Sequence, residues 1–141
     1  MDMKTSPLAQ LKDPSLLKTE ALINGQWVKG SGTFEVSDPA TGHKLADVAN
    51  LGASDAQAAI EAANTAWPAW KNKTAKERSN IMRKWFDLLI ANTDDLARLM
   101  TAENGKPMAE SRGEVAYGAS FVEWFAAVSY THLTLPTKRI V

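Results

Sequence analysis

The first third of the chain alternates short apolar runs with turn-forming residues. The triplets Ala-Leu-Ile at 21–23 and Gln-Trp-Val at 26–28 flank Asn24 and Gly25. This dipeptide supplies both positive-φ positions of a type I′ turn, so a β-hairpin is predicted. Residues 33–37 and 44–49 alternate like half-buried strands on either side of the turn-forming sequence Asp-Pro-Ala-Thr-Gly at 38–42. This part of the chain therefore predicts four short strands.

From about residue 54 the apolar spacing changes to that of amphipathic helices. Ser54 and Gln57 form a capping-box pattern at the start of the first helix, and Pro68 is expected to end it. A second capping box at residues 74–77 opens the next helix, which runs to about residue 92. The apolar stripes expected to be buried are Ala56, Ala59, Ile60, Ala63 and Trp67 in the first helix, and Ile81, Trp85, Leu88 and Leu89 in the second.

Two more helices are predicted. Asp94 and Asp95 lie in the first turn of the third helix, where carboxylates favour the positive end of the helix dipole. Gly105 is expected to end this helix in a left-handed conformation, and Pro107 to open the fourth. The buried faces are predicted to hold Leu96, Leu99 and Met100 in the third helix, and Tyr117, Phe121, Trp124, Phe125 and Val128 in the fourth. Four such strands and four helices make an incomplete fold, because the strands lack partners and the helices need another surface to pack on.

Composition narrows the class of protein. The 141 residues are 45% hydrophobic, and 16 basic residues balance 16 acidic ones without a charged run, which argues against a nucleic-acid partner. No apolar stretch approaches the ~20 residues that span a bilayer, so no membrane association is expected. The N-terminus lacks an apolar signal region, so the cytoplasm is the expected compartment. The absence of cysteine excludes disulfides, thiolate zinc sites and cysteine nucleophiles.

No catalytic motif stands out from the residues alone. The glycines at 113 and 118 match phosphate-loop spacing, but an alanine occupies the lysine position and the segment is helical, so we interpret them as packing glycines. His43 and His132 have no obvious partner and are expected at the surface. The aromatic stripe of the last helix is interpreted as core, or as a partner-binding surface if the chain is truncated. Four carboxylates are expected on solvated helix faces: Glu103, Glu110, Glu114 and Glu123.

Residues 21–127 resemble the beginning of the aldehyde dehydrogenase superfamily, with the succinate-semialdehyde dehydrogenase branch the most similar. Six blocks in the same order carry the resemblance, and together they are specific where no single block is. The blocks are residues 21–28, 36–42, 53–70, 74–85, 94–109 and 113–126. The fold class implied is the N-terminal hairpin and helical layer of an α/β cofactor domain, truncated before its Rossmann-like sheet.

The resemblance implies a parent enzyme that oxidises a small-molecule aldehyde, succinate semialdehyde in this branch, to the acid with NAD or NADP, and that assembles as a homo-oligomer. In that family a cysteine thiolate attacks the aldehyde, and a glutamate activates the hydrolytic water. The catalytic cysteine and glutamate and the cofactor-binding residues all follow the matched region. No catalytic or cofactor-binding residue can therefore be assigned here, and the chain itself is expected to be inactive.

One metal site can be transferred from the resemblance. Some family members bind a monovalent cation through backbone oxygens before the Pro-Ala turn and a carboxylate before Gly-Lys. Those positions are Val36, Ser37 and Glu103 here. Oxygen ligands suit a hard cation, while a plain strand and a solvated glutamate are the competing interpretation.

Three segments are expected: a loosely held extension at 1–20 with a short helical turn near 15–18, a partial aldehyde dehydrogenase domain at 21–127, and an unrelated tail at 128–141. The helical period is expected to stop at Val128, and the tail resembles a translated sequencing adapter. A frameshift or a small natural protein are the alternatives. The competing function is a non-catalytic helical interaction module with an exposed aromatic face.

Overall fold

The chain folds into two antiparallel hairpins followed by four helices, and the computed structural model describes residues 7–131. Two short 3-10 helices, Pro7–Gln10 and Pro14–Leu16, precede the strands. The strands are β1 Ala21–Ile23, β2 Gln26–Val28, β3 Gly32–Ser37 and β4 Lys44–Asn50. The helices are α1 Ala53–Lys71, α2 Ala75–Ala91, α3 Thr93–Asn104 and α4 Met108–Thr131.

Both predicted strand pairs are confirmed. Asn24 and Gly25 have φ values of 50° and 74°, so both central residues of the first turn are left-handed, as a type I′ hairpin requires. In the second pair β3 opposes β4 in antiparallel register, with Val36 facing Ala46. The register then shifts, so that Ser37 pairs with Lys44. An irregularity of this kind interrupts the ladder locally and bends the strand.

The part of the N-terminal extension that the structure describes is anchored, in contrast to the loosely held segment predicted. The Asp95 carboxylate on α3 accepts hydrogen bonds from the backbone N–H groups of Lys12 at 3.0 Å and Asp13 at 2.8 Å. Asp13 in turn caps the second 3-10 helix, accepting from the Ser15 N–H at 2.9 Å. A buried carboxylate thus ties residues 12–15 to the helices.

Helix α1 differs from its prediction at both ends. It is capped at Gly52, whose N–H donates to the Asp55 carboxylate at 2.9 Å, so the predicted pair Ser54 and Gln57 is wrong. The helix passes through Pro68 to Lys71. Proline removes one hydrogen bond of the ladder, but in the last turn the Asn72 N–H still reaches the Pro68 carbonyl at 3.2 Å.

The predicted buried face of α1 is largely exposed. Ile60 and Trp67 are 69% and 54% exposed, and α1 has no buried residue. The reason is that α1 makes few contacts in this part of the chain, mainly with β1. The apolar period correctly predicts a helix, but within residues 7–131 little covers its apolar face.

Helices α2, α3 and α4 pack together, with α4 in contact with both others. The face of α4 that meets α2 and α3 is built from small side chains, which let helix backbones approach closely. Two hydroxyl hydrogen bonds cross these contacts: Ser79 to the Ala126 carbonyl at 2.8 Å, and Thr101 with Ser111 at 2.9 Å. The buried residues of α4 are Ser111, Val115, Ala119 and Ala126.

The stripes of large apolar residues predicted to be buried in these helices are therefore half-buried or exposed. Alanines, not the larger side chains, occupy the close contacts, because bulky groups would hold the helices apart. Leu96, Leu99, Met100 and Leu89 are half-buried, and the exposed members are Ile81, Trp85, Leu88, Tyr117, Phe121, Trp124 and Phe125. On α3 the buried residues are Asp95, Ala97 and Ala102.

Several boundaries agree with the sequence. The Thr74–Glu77 capping box is present, with reciprocal side-chain and backbone bonds. Gly105 ends α3 with φ 81°. Helix α4 continues through Val128 to Thr131, past the point where the helical period was expected to stop. His132 and the rest of the predicted tail lie outside the described residues.

Candidate functional site

The turn between β3 and β4 is held by one carboxylate. Asp38 Oδ1 accepts from the Ala40 N–H at 2.8 Å, and Oδ2 accepts from the Thr41 hydroxyl at 3.0 Å. These hydrogen bonds, that of Ala40 above all, hold the pKa of Asp38 below its ordinary value. Because the Asp38 N–H also donates to the His43 carbonyl at 2.8 Å, the turn is closed at both ends and presents Pro39 in a fixed place.

Pro39 lies against the end of α3. A Cβ atom added to Gly105 would stand 2.9 Å from Pro39 Cγ, which is well inside ordinary carbon contact. Gly105 is therefore needed here twice, for its positive φ and for the close approach of the proline ring. This contact sets the position of β3 relative to the last turn of α3, where Glu103 lies.

Two of the three predicted cation-site residues line the same cavity. Val36 and Glu103 line one cavity of about 60 Å³, together with Thr19 and Leu99. Ser37 is not among the residues lining this cavity, and its hydroxyl donates to the Glu35 carboxylate at 3.1 Å. The strand irregularity falls between Val36 and Ser37, where the hydrogen-bond ladder is locally disrupted.

Most side chains that line this cavity are apolar, and Glu103 supplies its one carboxylate. Within residues 7–131 no three His, Cys, Asp or Glu side chains cluster as metal ligands. Lys18 also lines the cavity, but its ammonium lies over the Trp27 ring, 5.0 Å from the centroid.

Two wide grooves run along α4. One, of about 720 Å³, lies among α2, α3 and α4 and is lined by Trp85, Met100 and Val122, with Glu103 at its rim. The other, of about 750 Å³, is lined by four rings that we call the aromatic face. The aromatic face consists of Tyr117, Phe121, Trp124 and Phe125. Both grooves are predominantly apolar, so they suit protein side chains more than a charged ligand.

The other residues considered for catalysis in the sequence lie at the surface. Glu123 pairs with Arg83 at 2.8 Å and Glu114 pairs with Lys106, so neither forms a carboxylate pair suited to acid–base chemistry. Glu110 and His43 are exposed. The glycines at 113 and 118 are not packing glycines in this part of the chain, because a Cβ added at either would meet nothing within 4 Å.

Asp95 was missed as an anchor. It was expected only to complement the dipole of α3, but the Asp13 and Lys12 N–H groups hold its pKa below the ordinary value. Nothing in the spacing of the sequence indicates a contact across more than 80 residues. The small-residue face of α4 could have been found, because its alanines recur at helical intervals.

The described residues do not fit a nicotinamide cofactor. Such cofactors lie at the carboxyl end of parallel strands, with the pyrophosphate on a glycine-rich turn that opens a helix. Between residues 7 and 131 the strands form antiparallel hairpins, and the one strand followed directly by a helix, β4, leads into a helix capped at the single glycine Gly52.

The family profile and the similar proteins that match this chain are all aldehyde dehydrogenases. A sequence profile of the aldehyde dehydrogenase family matches residues 27–138. The chain is 54% identical over 119 residues to glutarate-semialdehyde dehydrogenase of Pseudomonas putida, and 52% identical over 119 residues to the NADP⁺-dependent succinate-semialdehyde dehydrogenase of Escherichia coli. Each match covers 83% of this chain and 25% of the relative.

Solved structures of aldehyde dehydrogenases contain the same fold. Succinate-semialdehyde dehydrogenase from Burkholderia pseudomallei is 57% identical and superposes with a TM-score of 0.82, covering 84% of this chain and 25% of that one. Betaine aldehyde dehydrogenase of Staphylococcus aureus in complex with NAD⁺ is 27% identical with a TM-score of 0.78. The chain thus spans about a quarter of the length of the relatives it matches.

Within residues 7–131 no helix is both long and apolar enough to cross a bilayer.

Proposed function

Because the chain belongs to the aldehyde dehydrogenase family, we propose that it is the N-terminal region of an oxidoreductase that converts a short carboxylated aldehyde to the acid with NAD or NADP. The observation that carries the proposal is identity above 50% to relatives named for succinate and glutarate semialdehyde. We also propose that this parent is a cytoplasmic homo-oligomer. In this assignment residues 21–127 are a scaffold layer and contribute no catalytic group.

The 141-residue chain should show no dehydrogenase activity by itself. It has no cysteine to form a covalent adduct, and its described residues do not fit the cofactor. The test compares two proteins: the purified chain, and a covalent chimera in which it replaces the aligned quarter of the E. coli relative. We expect aldehyde-dependent NADPH formation from the chimera and none from the chain. Activity of the chain alone, or an inactive but folded chimera, would contradict the proposal.

We propose that Val36, Ser37 and Glu103 hold a monovalent cation, with carbonyls and one carboxylate as donors. The support is the shared cavity of Val36 and Glu103 and the strand irregularity beside them. Potassium or sodium should raise the unfolding temperature of the chain, and Glu103→Gln should weaken that dependence. Glu110→Gln, on an exposed part of α4, is the matched control. Equal salt dependence in both variants would argue against the site.

A second function is favoured by the exposure of the aromatic face. Tyr117 and Trp124 are 67% and 66% exposed, which is far more than is usual for rings in a core. We propose as the alternative a non-catalytic helical module that acts by binding a partner through this face. A folded, monomeric chain that captures a defined partner would support it, and aggregation on expression would count against it.

A further inference from the structure

The sequence contains two Asn-Gly dipeptides, and they lie in different surroundings. Asn24 and Gly25 form the tip of the β1–β2 hairpin, whereas Asn104 and Gly105 end α3. Asn-Gly is the dipeptide most open to deamidation, because glycine has no side chain to keep its backbone nitrogen away from the asparagine side chain. The two dipeptides therefore differ in reactivity only through what the fold does to each.

Deamidation begins when the glycine nitrogen, its proton lost to a solvent base, attacks Cγ of the preceding asparagine. A new C–N bond forms, the bond from Cγ to the side-chain nitrogen breaks, and that nitrogen leaves as ammonia. Solvent water then opens the resulting succinimide at either carbonyl, to give aspartate or isoaspartate. Nothing is oxidised or reduced. The reaction therefore needs a free glycine nitrogen and a backbone that can rotate until this nitrogen meets Cγ.

The tip of the hairpin meets both needs. Within residues 7–131 the Gly25 N–H donates to no acceptor, and Asn24 is exposed. A Cβ atom added to Gly25 would meet nothing within 4 Å, so neighbouring groups do not restrain the turn. Only three residue pairs join β1 to β2. A two-stranded hairpin this short is marginal by itself, so its tip opens at little cost in free energy.

The end of α3 meets neither need. The Gly105 N–H donates to the Thr101 carbonyl at 2.9 Å, so the nitrogen that would attack is already engaged. Pro39 lies so close that its Cγ would stand 2.9 Å from a Cβ added to Gly105. Rotation here must therefore break the hydrogen bond and displace a turn that the Asp38 carboxylate holds. Asn104 is itself exposed, so exposure does not distinguish the two asparagines.

We propose that Asn24 is a deamidation site, and that Asn104 is protected by the hydrogen bond and the proline contact of Gly105. The isoaspartyl product routes the main chain through Cγ, which adds one carbon atom to the backbone of the turn. A two-residue type I′ turn does not accommodate this atom, so the strand pairing next to the turn is lost first. The product also carries a free α-carboxylate, the group that isoaspartyl methyltransferases methylate.

The test is incubation of the purified 141-residue chain in mildly alkaline buffer, followed by proteolysis and mass spectrometry of the peptides that carry Asn24 and Asn104. Methylation with labelled S-adenosylmethionine measures the isoaspartyl form. The same incubation in guanidinium chloride gives the ratio of the two rates in the unfolded chain. Relative to that ratio, Asn24 should react at least about tenfold faster than Asn104 in buffer, because its opening costs less free energy. Equal ratios in buffer and denaturant, or faster reaction at Asn104, would overturn the proposal.

Two variants locate the causes. Asn24→Gly keeps a turn that favours positive φ but has no amide to lose, so the isoaspartyl product of the hairpin peptide should disappear. Pro39→Ala removes the ring that lies against Gly105, and should accelerate reaction at Asn104 about threefold or more while the rate at Asn24 is unchanged. An unchanged rate at Asn104, or an equal acceleration at both sites, would overturn the protection assigned to this contact.

Discussion

Replacing Gly105 with alanine perturbs the contact between the β3–β4 turn and the end of α3. The backbone at this position has φ 81° and ψ 6°, in the left-handed region. An added Cβ atom would also lie 2.9 Å from Pro39 Cγ. The proline cannot retreat freely, because the carboxylate of Asp38 and the Asp38–His43 hydrogen bond close the turn behind it.

The size of the effect follows from three contributions. A left-handed conformation costs a non-glycine residue about 1–2 kcal/mol. Relieving the clash with Pro39 costs about 1–2 kcal/mol, at the lower end of what overpacking a contact costs. Alanine recovers about 0.4–1 kcal/mol by restricting the unfolded chain. We therefore expect Gly105→Ala to lower the free energy of unfolding by about 2–3 kcal/mol.

Urea unfolding followed by fluorescence of the five tryptophans measures this change. With an m-value of about 1.5 kcal/mol/M, the midpoint should fall by about 1.3–2 M. Gly113→Ala is the matched control, because Gly113 is in α4 without positive φ and a Cβ there meets nothing within 4 Å. That variant should gain about 0.5–1 kcal/mol.

The two alanine variants should thus move in opposite directions. Gly105→Asn separates the backbone cost from the clash with Pro39, since asparagine tolerates the left-handed region but still carries a Cβ atom. Its free energy of unfolding should lie between those of the two alanine variants. A Gly105→Ala chain as stable as the parent, or one that shifts in the same direction as Gly113→Ala, would refute the argument that Pro39 and Gly105 fix the approach of β3 to α3.

Three more predictions follow from named contacts. Thr74→Ala removes the cap of α2 and should cost about 1 kcal/mol in the same urea assay. Ala119→Leu overfills the contact of α4 with its neighbours and should cost about 1–3 kcal/mol, whereas Ala116→Leu on the exposed side should change stability by less than about 0.5 kcal/mol. Two backbone N–H groups hold the pKa of Asp95 below its ordinary value, so its stabilisation is complete above about pH 4 and is lost as the pH falls through the lowered pKa. The protection factors of the backbone amides in residues 11–16 should therefore fall below pH 4 in the parent chain but not in Asp95→Asn, and unchanged protection factors in the parent would contradict this role.

Local elements were predictable because local chemistry determines them. Asn24 and Gly25 fix a hairpin turn, Thr74 and Glu77 cap a helix, and Gly105 ends one, each through contacts within a few residues. The fold class was predictable at the same level, through the period of apolar residues and the order of the family blocks.

Burial was not predictable in the same way. Which face of α4 is covered depends on α2 and α3, and they approach the side with Ser111 and Ala119 because small side chains permit close contact. The stripe of large apolar residues is the usual indicator of a core, and here it faces solvent. The proposed cation-site residues came from the resemblance, because spacing in the sequence does not indicate that Val36 and Glu103 line one cavity.

The two apolar sides of α4 also have a consequence for synthesis. In the P. putida relative, 119 matched residues are 25% of the length, so that chain has roughly 480 residues and roughly 350 follow this region. At 5–20 residues per second, a ribosome needs roughly 20–70 s to make them. Helix pairs form within microseconds to milliseconds, so the small-residue face of α4 can pack while the rings of the aromatic face are still exposed to solvent. In a chain of that length the aromatic face stays exposed until the rest is made, so slower translation would lengthen the period in which the nascent chain is prone to aggregation.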